Sequence, residues 1–253
     1  MIPKIIHYAW FGGEKPEKVQ KCIASWHRLM PDWEFMEWNE KNWDINQYAF
    51  AQEMYAEKNW GFLSDTLRFD VVYRYGGFYF DTDMLMTKPI TDEFRDAQNM
   101  FCFMFDNALH TGLFGAEKET PVFAEILKMY HEEKYENVSS LIRVTTNNPI
   151  ITKMLMILYP EFKLDNTKQV LGTSHNEVVI WPKEYFVYPS FNRKISYTEH
   201  LFTNSWSTAN LGTWGMIKAL SKLALGKTIY GKISAHRGKV KPHKGGVIIK
   251  EMK

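Results

Sequence analysis

Asp81-Thr82-Asp83 is the part of this 253-residue sequence whose residue types point most directly to chemistry. Two carboxylates at i and i+2, set where a strand opens into a loop, can converge on a hard divalent cation. Mg²⁺ or Mn²⁺ bound in this way keeps coordination positions for phosphate oxygens. The tripeptide alone says little: in a chain with 10 Asp, roughly 0.4 chance occurrences are expected, and a polar turn is the ordinary explanation. Its flanks add weight. Asp65 and Arg68 lie three apart on a helix before the strand, hence on one face. There they can form a simple surface ion pair or point together into a cleft. Ser64-Asp65-x-x-Arg68 and then Tyr75-Gly76-Gly77-x-Tyr79-x-Asp81-x-Asp83 bring helix, glycine pair, strand and carboxylates together within residues 64–83.

The elements that must position these groups can be read from periodicity. Residues 4–11 form a β-rich run halted by Gly12-Gly13. Pro16 opens a helix reaching about Met30, with Val19, Ile23, Trp26 and Met30 on one apolar face. Residues 34–38 read as a second strand, and 46–58 and 60–75 as helices. The second of these ends at Gly76-Gly77, the place for a left-handed cap. Phe78-Tyr79-Phe80 then restarts a strand that runs into Asp81. Further strands are expected at 100–105 and 177–181, and helices at 120–135 and 149–160. Strands alternating with helices predict an α/β fold with a largely parallel sheet.

Composition narrows the class. With 45% hydrophobic and 15% aromatic residues the chain is neither disordered nor fibrous. Cys22 and Cys102 cannot build a disulfide framework or a four-cysteine zinc site, which points to a reducing compartment. No signal peptide opens the sequence, and no apolar run reaches the length of about 20 residues that spans a bilayer. A cytoplasmic protein, in peripheral contact with a membrane, is the expectation. The net charge of +2 hides an asymmetry: residues 1–206 carry 21 Lys and Arg against 28 Asp and Glu, whereas residues 207–253 carry 10 against 1. Within 213–230, Trp214, Ile217, Leu220, Leu223 and Ala224 share a helical face, with Lys218 and Lys222 towards the other side. Lys227, Lys232, Arg237, Lys239, Lys241 and Lys244 follow. A basic amphipathic helix of this kind either lies on an anionic membrane surface through 213–244 or packs on the domain.

Segment 60–87, WGFLSDTLRFDVVYRYGGFYFDTDMLMT, resembles the DXD-containing sugar-binding region of the family 32 glycosyltransferases. That family includes bacterial capsular-polysaccharide transferases and fungal mannosyltransferases, with clostridial toxin glucosyltransferase domains as distant relatives. The opening at 2–13, the helix at 16–30 and Trp33 to Asn39 resemble the family's first elements, and the likeness is clear over residues 2–95. The resemblance implies a GT-A fold over residues 1–206 with a basic extension at 207–253. It also implies a nucleotide-sugar donor with UDP favoured, a divalent ion (Mn²⁺ or Mg²⁺) and transfer with retention of configuration. Carried over, Asp83 is a direct metal ligand, and Asp81 contacts the sugar or ribose and supports the metal. Asp65 and Arg68 hold the donor sugar and its diphosphate, Trp10 stacks on the base and Tyr79 lines the donor pocket. In the segment from Tyr197 to Trp206, His200 or Asn204 completes the metal's coordination and Trp206 covers the diphosphate. Leu201 stands where many relatives have a second histidine.

Thr145-Thr146-Asn147-Asn148-Pro149 sits where relatives show a turn before a helix but lacks its glycine, and Phe105-Asp106-Asn107 could face the acceptor. The acceptor implied is a glycan, lipid-linked in the capsule relatives. A non-catalytic carbohydrate- or nucleotide-sugar-binding module of the same fold is the alternative, separated from a transferase by turnover. A phosphohydrolase would need further ligands around the Asp pair. No nucleic-acid-binding motif stands behind the basic tail, so nucleic acid is not expected as a partner.

Overall fold

The computed structural model describes residues 1–131, 141–143, 146–174, 176–203 and 225–233. Its centre is a mixed sheet built from strands β1 (Ile5–Ala9), β2 (Glu34–Trp38), β3 (Gly77–Phe80), β5 (Asn99–Phe105), β6 (Ala108–Leu109), β7 (Leu113–Ala116), β8 (Gln169–Leu171) and β9 (Val178–Trp181). The order is β2-β1-β3-β7-β5-β9-β8, with β6 paired to β5. β1 runs parallel to β2 and β3, and β5 parallel to β9. β7 lies antiparallel between β3 and β5 and joins the two parallel blocks. A separate two-stranded ribbon pairs β4 (Met84–Met86) with β10 (Thr198–His200).

Alternation along the strands sends side chains to both faces of the sheet. Phe101, Phe103 and Tyr79 enter one apolar core, and Met100, Cys102, Phe78 and Phe80 enter the other. The first core is covered by α2 (Ala49–Ala56), α3 (Trp60–Tyr75), α5 (Pro121–His131) and α6 (Asn147–Leu158); the second by α1 (Glu17–Leu29) and the short α4 (Asp92–Arg95) and α7 (Lys183–Phe186). α3 is buried without interruption from Leu63 to Val72, so it has no single apolar stripe.

The helix expected at 46–58 is broken. Asp44 accepts a hydrogen bond from the Asn46 N–H and closes a 3₁₀ turn, and Tyr48 is extended before α2 begins. Gly76 and Gly77 both have positive φ, at 67° and 102°, as the glycine pair suggested. Gly76 has ψ −177°, however, so it is an extended hinge and not a left-handed helical cap. At Gly77 a Cβ would lie 2.7 Å from the Ile5 carbonyl oxygen, so glycine is what lets α3 feed directly into a strand pressed against β1.

Candidate active site

The β1–β3 register pairs Ile6 with Phe78 and His7 with Tyr79. Carried two residues further, it brings Asp81 level with Ala9. The turn after β1 and the carboxylates after β3 therefore meet at the carboxyl ends of parallel strands, where open α/β sheets place their ligands. On α3, Trp60, Ser64 and Arg68 follow at i, i+4 and i+8 and face the same space. Together with Trp10, Phe11, Gly12, Tyr79, Asp81, Asp83, Met104, His200 and Phe202 they line a cleft of about 590 Å³.

Arg68 is buried and fixed in three directions. Its Nε donates to the Ser64 carbonyl at 3.0 Å, Nη1 to the Thr111 carbonyl at 2.8 Å and Nη2 to Ser64 Oγ at 2.7 Å. Nη2 also lies 3.1 Å from Asp65 Oδ1 and 3.5 Å from Asp81 Oδ1, so one guanidinium serves two carboxylates. Its carbon stands 5.0 Å from the centre of the Tyr79 ring. Burial pushes the Asp65 carboxyl up to about 7 in spite of Arg68, with Asp81 adding to the rise. Asp81 is raised as well, by burial against the pull of Arg68. Arg68 itself is raised although burial opposes it, because Asp81 and Asp65 hold its charge.

Asp83 has the opposite fate. Burial would raise its carboxyl, but His200 and Thr203 together hold it below the usual carboxylate range. His200 Nε2 is 3.0 Å from Asp83 Oδ1, and Asp83 Oδ2 accepts from the Thr203 N–H at 2.9 Å. The same pair raises His200 against the lowering effect of burial. His200 reaches this point because β10 pairs with β4 directly after Asp83, matching His200 with Met84. Two hydrogen bonds tie β4 in turn to α1: Trp26 Nε1 donates to the Met84 carbonyl at 2.7 Å, and the Met86 N–H donates to Ser25 Oγ at 3.0 Å.

Ligand-capable atoms of Asp81, His110 and His200 lie within 4.8 Å of one another. His110 Nε2 and His200 Nδ1 are buried with no hydrogen-bond partner among the described residues. Burial lowers His110 well below the usual histidine value, leaving the neutral imidazole that ligates metals. The donor set fits a divalent ion.

Of the residues singled out from the sequence, Trp10, Arg68, Tyr79, Asp81, Asp83 and His200 all line the cleft. Trp10 is held there by Nε1 donating to the Gly13 carbonyl at 2.8 Å. Asp65 sits behind Arg68 and is not a wall of the cleft. Asn204 and Trp206 lie outside the described residues, as do Thr145 and most of 213–244. Thr111 Oγ1 donates to Asn147 Oδ1 at 2.7 Å and lies against the Asn148 amide, so the start of α6 supports the loop holding Arg68. Asp106 pairs with the buried Lys183 at 2.6 Å. Sequence reasoning missed His110, Thr203, Trp60 and Gly112. His110-Thr111-Gly112 joins the two-residue strand β6 to β7 and carries no spacing signal.

Residues 16–101 match the model of the glycosyltransferase sugar-binding region containing the DXD motif. Inositol phosphoceramide mannosyltransferase 3 of Schizosaccharomyces pombe is 32% identical over 93 residues, 33% of this chain and 24% of that protein. Human alpha-1,4-N-acetylglucosaminyltransferase is 28% identical over 103 residues, 40% of this chain and 28% of that one. Subversion of eukaryotic traffic protein A of Legionella pneumophila is 26% identical over 119 residues, 36% and 18% of the two chains. The chain thus spans under a third of the length of these relatives. In three dimensions it is similar to the PaToxG glycosyltransferase, with a TM-score of 0.51 at 18% identity, over 63% of this chain and 70% of that one. The fold is the GT-A type of α/β architecture, and residues 16–101 are similar to a glycosyltransferase DXD region.

Proposed function

We propose that the chain is a metal-dependent retaining glycosyltransferase of the family 32, capsular-polysaccharide type. It moves a hexose from a UDP-sugar to a glycan acceptor, lipid-linked, in bacterial surface-polysaccharide assembly. The observation that carries this reading is the convergence of Asp81, Asp83, His200 and Arg68 on one cleft at the strand ends, within and beside the matched DXD region. The mannosyl- and N-acetylglucosaminyltransferase names of the relatives agree with a sugar-nucleotide donor.

Asp81 and His200 would hold the ion, with Asn204 as a further ligand, while Asp83, expected as a direct ligand, would instead orient His200 by accepting from its Nε2. When bound, the ion would supply positive charge to the departing diphosphate. Arg68 adds a second positive charge, already oriented by Ser64 and Thr111, so it does not have to reorganise as the bond breaks. Asp65 keeps Arg68 in place and touches the donor through it. Trp10 stacks on the base, Tyr79 floors the pocket under Arg68, and Trp206 covers the diphosphate. Transfer occurs on the face from which the diphosphate departs, with no protein nucleophile. The acceptor hydroxyl gives its proton to a leaving phosphate oxygen as the new glycosidic bond forms.

A thermal-shift titration tests this reading. UDP with Mn²⁺ should raise the melting temperature of the wild type, GDP should do so less, and Asp83→Ala should remove the shift. Equal shifts with and without Mn²⁺, or none with either nucleotide, would count against it.

A further inference from the structure

We propose that His110 is a ligand of the same divalent ion, alongside Asp81 and His200. This nitrogen-rich set makes the site take a first-row transition ion such as Mn²⁺, Co²⁺ or Zn²⁺ in preference to Mg²⁺. The inference rests on the metal-dependent reading above and names a residue that neither the DXD spacing nor the C-terminal segment supplies.

Four observations converge on His110. Its ring is 1% exposed, yet Nε2 has no hydrogen-bond partner among the described residues. Buried imidazole nitrogens are normally satisfied, so an orphan of this kind points to a missing ligand. The ring's orientation is fixed from behind. The His110 N–H donates to the Cys102 carbonyl at 2.8 Å, which anchors the backbone. Cys102 Sγ donates to the Leu113 carbonyl at 3.8 Å and faces His110 Nδ1 at 4.0 Å. The tautomer that the proposal requires carries its proton on Nδ1, facing the sulfur, and its lone pair on Nε2.

The third observation is the space in front of that lone pair. A Cβ built on Gly112 would sit 2.8 Å from His110 Nε2 and would collide with Asp81 Oδ2. The two atoms therefore meet at one point, in room that exists only because residue 112 is glycine. Asp81 divides its oxygens accordingly: Oδ1 faces Arg68 at 3.5 Å, and Oδ2 faces Gly112 and His110. The fourth is His200. Asp83 holds its Nε2 at 3.0 Å, while Nδ1 is buried and without a partner. A carboxylate on one ring nitrogen and a free lone pair on the other is how proteins orient ligating histidines. Ligand-capable atoms of all three residues fall within 4.8 Å of one another. Neutral imidazoles suit first-row transition ions, whereas Mg²⁺ demands oxygen ligands and gives up its water reluctantly.

Pulsed electron paramagnetic resonance of the Mn²⁺-loaded protein, with and without UDP, counts coordinated imidazole nitrogens. The wild type should show two, and His110→Gln one, with Mn²⁺ binding weakened at least about tenfold, the least that losing even an outer-shell partner costs. By competition titration the wild type should prefer Mn²⁺ to Mg²⁺ by at least about tenfold, and His110→Gln should lose most of that preference. A single nitrogen coupling in the wild type would overturn the proposal even if the variant failed to fold, as would an unchanged spectrum and affinity in a folded His110→Gln. In either case, Mn²⁺-dependent UDP release by the wild type would leave the transferase reading standing. Failure to bind Mn²⁺ in the presence of UDP would end both.

Discussion

His200 and Asp83 set each other's protonation, and the direction of each shift fixes a pH dependence. His200 is raised above its ordinary 6.5, so the stability it adds is fully present below 6.5 and is lost as pH rises through the raised value. Asp83 is lowered, so its contribution is present above 3.8 and is lost only in stronger acid. The metal-free protein should accordingly lose melting temperature from 6.5 upward, and His200→Gln should lose less across the same range, the remainder coming from Asp65, whose raised carboxyl ionises at about 7. A wild-type profile no steeper than the variant's would contradict the pairing. Metal affinity should climb over that window, because an imidazole must release its proton to bind. Arg68 gives a second prediction. Removing it leaves the buried Asp65 and the half-buried Asp81 without a counter-charge, so Arg68→Leu should lower stability by about 3 kcal/mol in urea unfolding. Arg68→Lys should recover little of this, since one ammonium cannot reach Ser64 Oγ and the Ser64 and Thr111 carbonyls together.

The passage from α3 through Gly76-Gly77 into β3 is the element that turns sequence into site. Gly77→Ala would place a methyl 2.7 Å from the Ile5 oxygen at φ 102°, which should cost about 1–3 kcal/mol or more and disturb the β1–β3 pairing. Donor affinity should fall with it, measurable by UDP titration; an unchanged affinity would show that β1 and β3 position the site independently. This stretch was legible because its signals are local: a helix closed by glycines, then aromatic β-formers, then the carboxylates. Other parts were not. β7 is Leu-Phe-Gly-Ala, buried at every position, so it shows no alternation. β4 is three residues long and pairs with β10 more than a hundred positions away, and nothing local announces such a contact. His200 could be singled out from the resemblance, but its place beside Asp83 depends on that ribbon. His110 stayed hidden because its meaning comes only from the β6–β7 turn facing Asp81. The turn at Asp44 divided the helix expected at 46–58 by offering the backbone a side-chain acceptor.

The molecule joins a two-faced α/β core to a strongly basic C-terminal stretch. No described helix is long and apolar enough to cross a membrane. The helical stretch 225–233 leaves Leu225, Ile229 and Ile233 exposed, and Lys227 pairs with Glu199 at 2.8 Å beside the ribbon that carries His200. We propose that this basic region brings the cleft to a lipid-borne acceptor. The full chain should float with phosphatidylserine vesicles at low salt and be released at high salt. Lys218→Glu with Lys222→Glu should weaken that binding, each lysine contributing about 1 kcal/mol. Flotation indifferent to salt and to charge reversal would refute the electrostatic part of the proposal. As proposed above, the Asp81–Asp83 cleft turns over a nucleotide sugar with the help of a divalent ion. UDP release measured across a panel of UDP-sugars, with Mn²⁺, Mg²⁺ or EDTA, on wild type and Asp83→Ala, addresses it directly. Metal-dependent release from one donor, abolished by EDTA and by Asp83→Ala, is the expected result. Release that persists in EDTA or in Asp83→Ala, or nucleotide binding with no release from any donor even when a glycan acceptor is supplied, would contradict it.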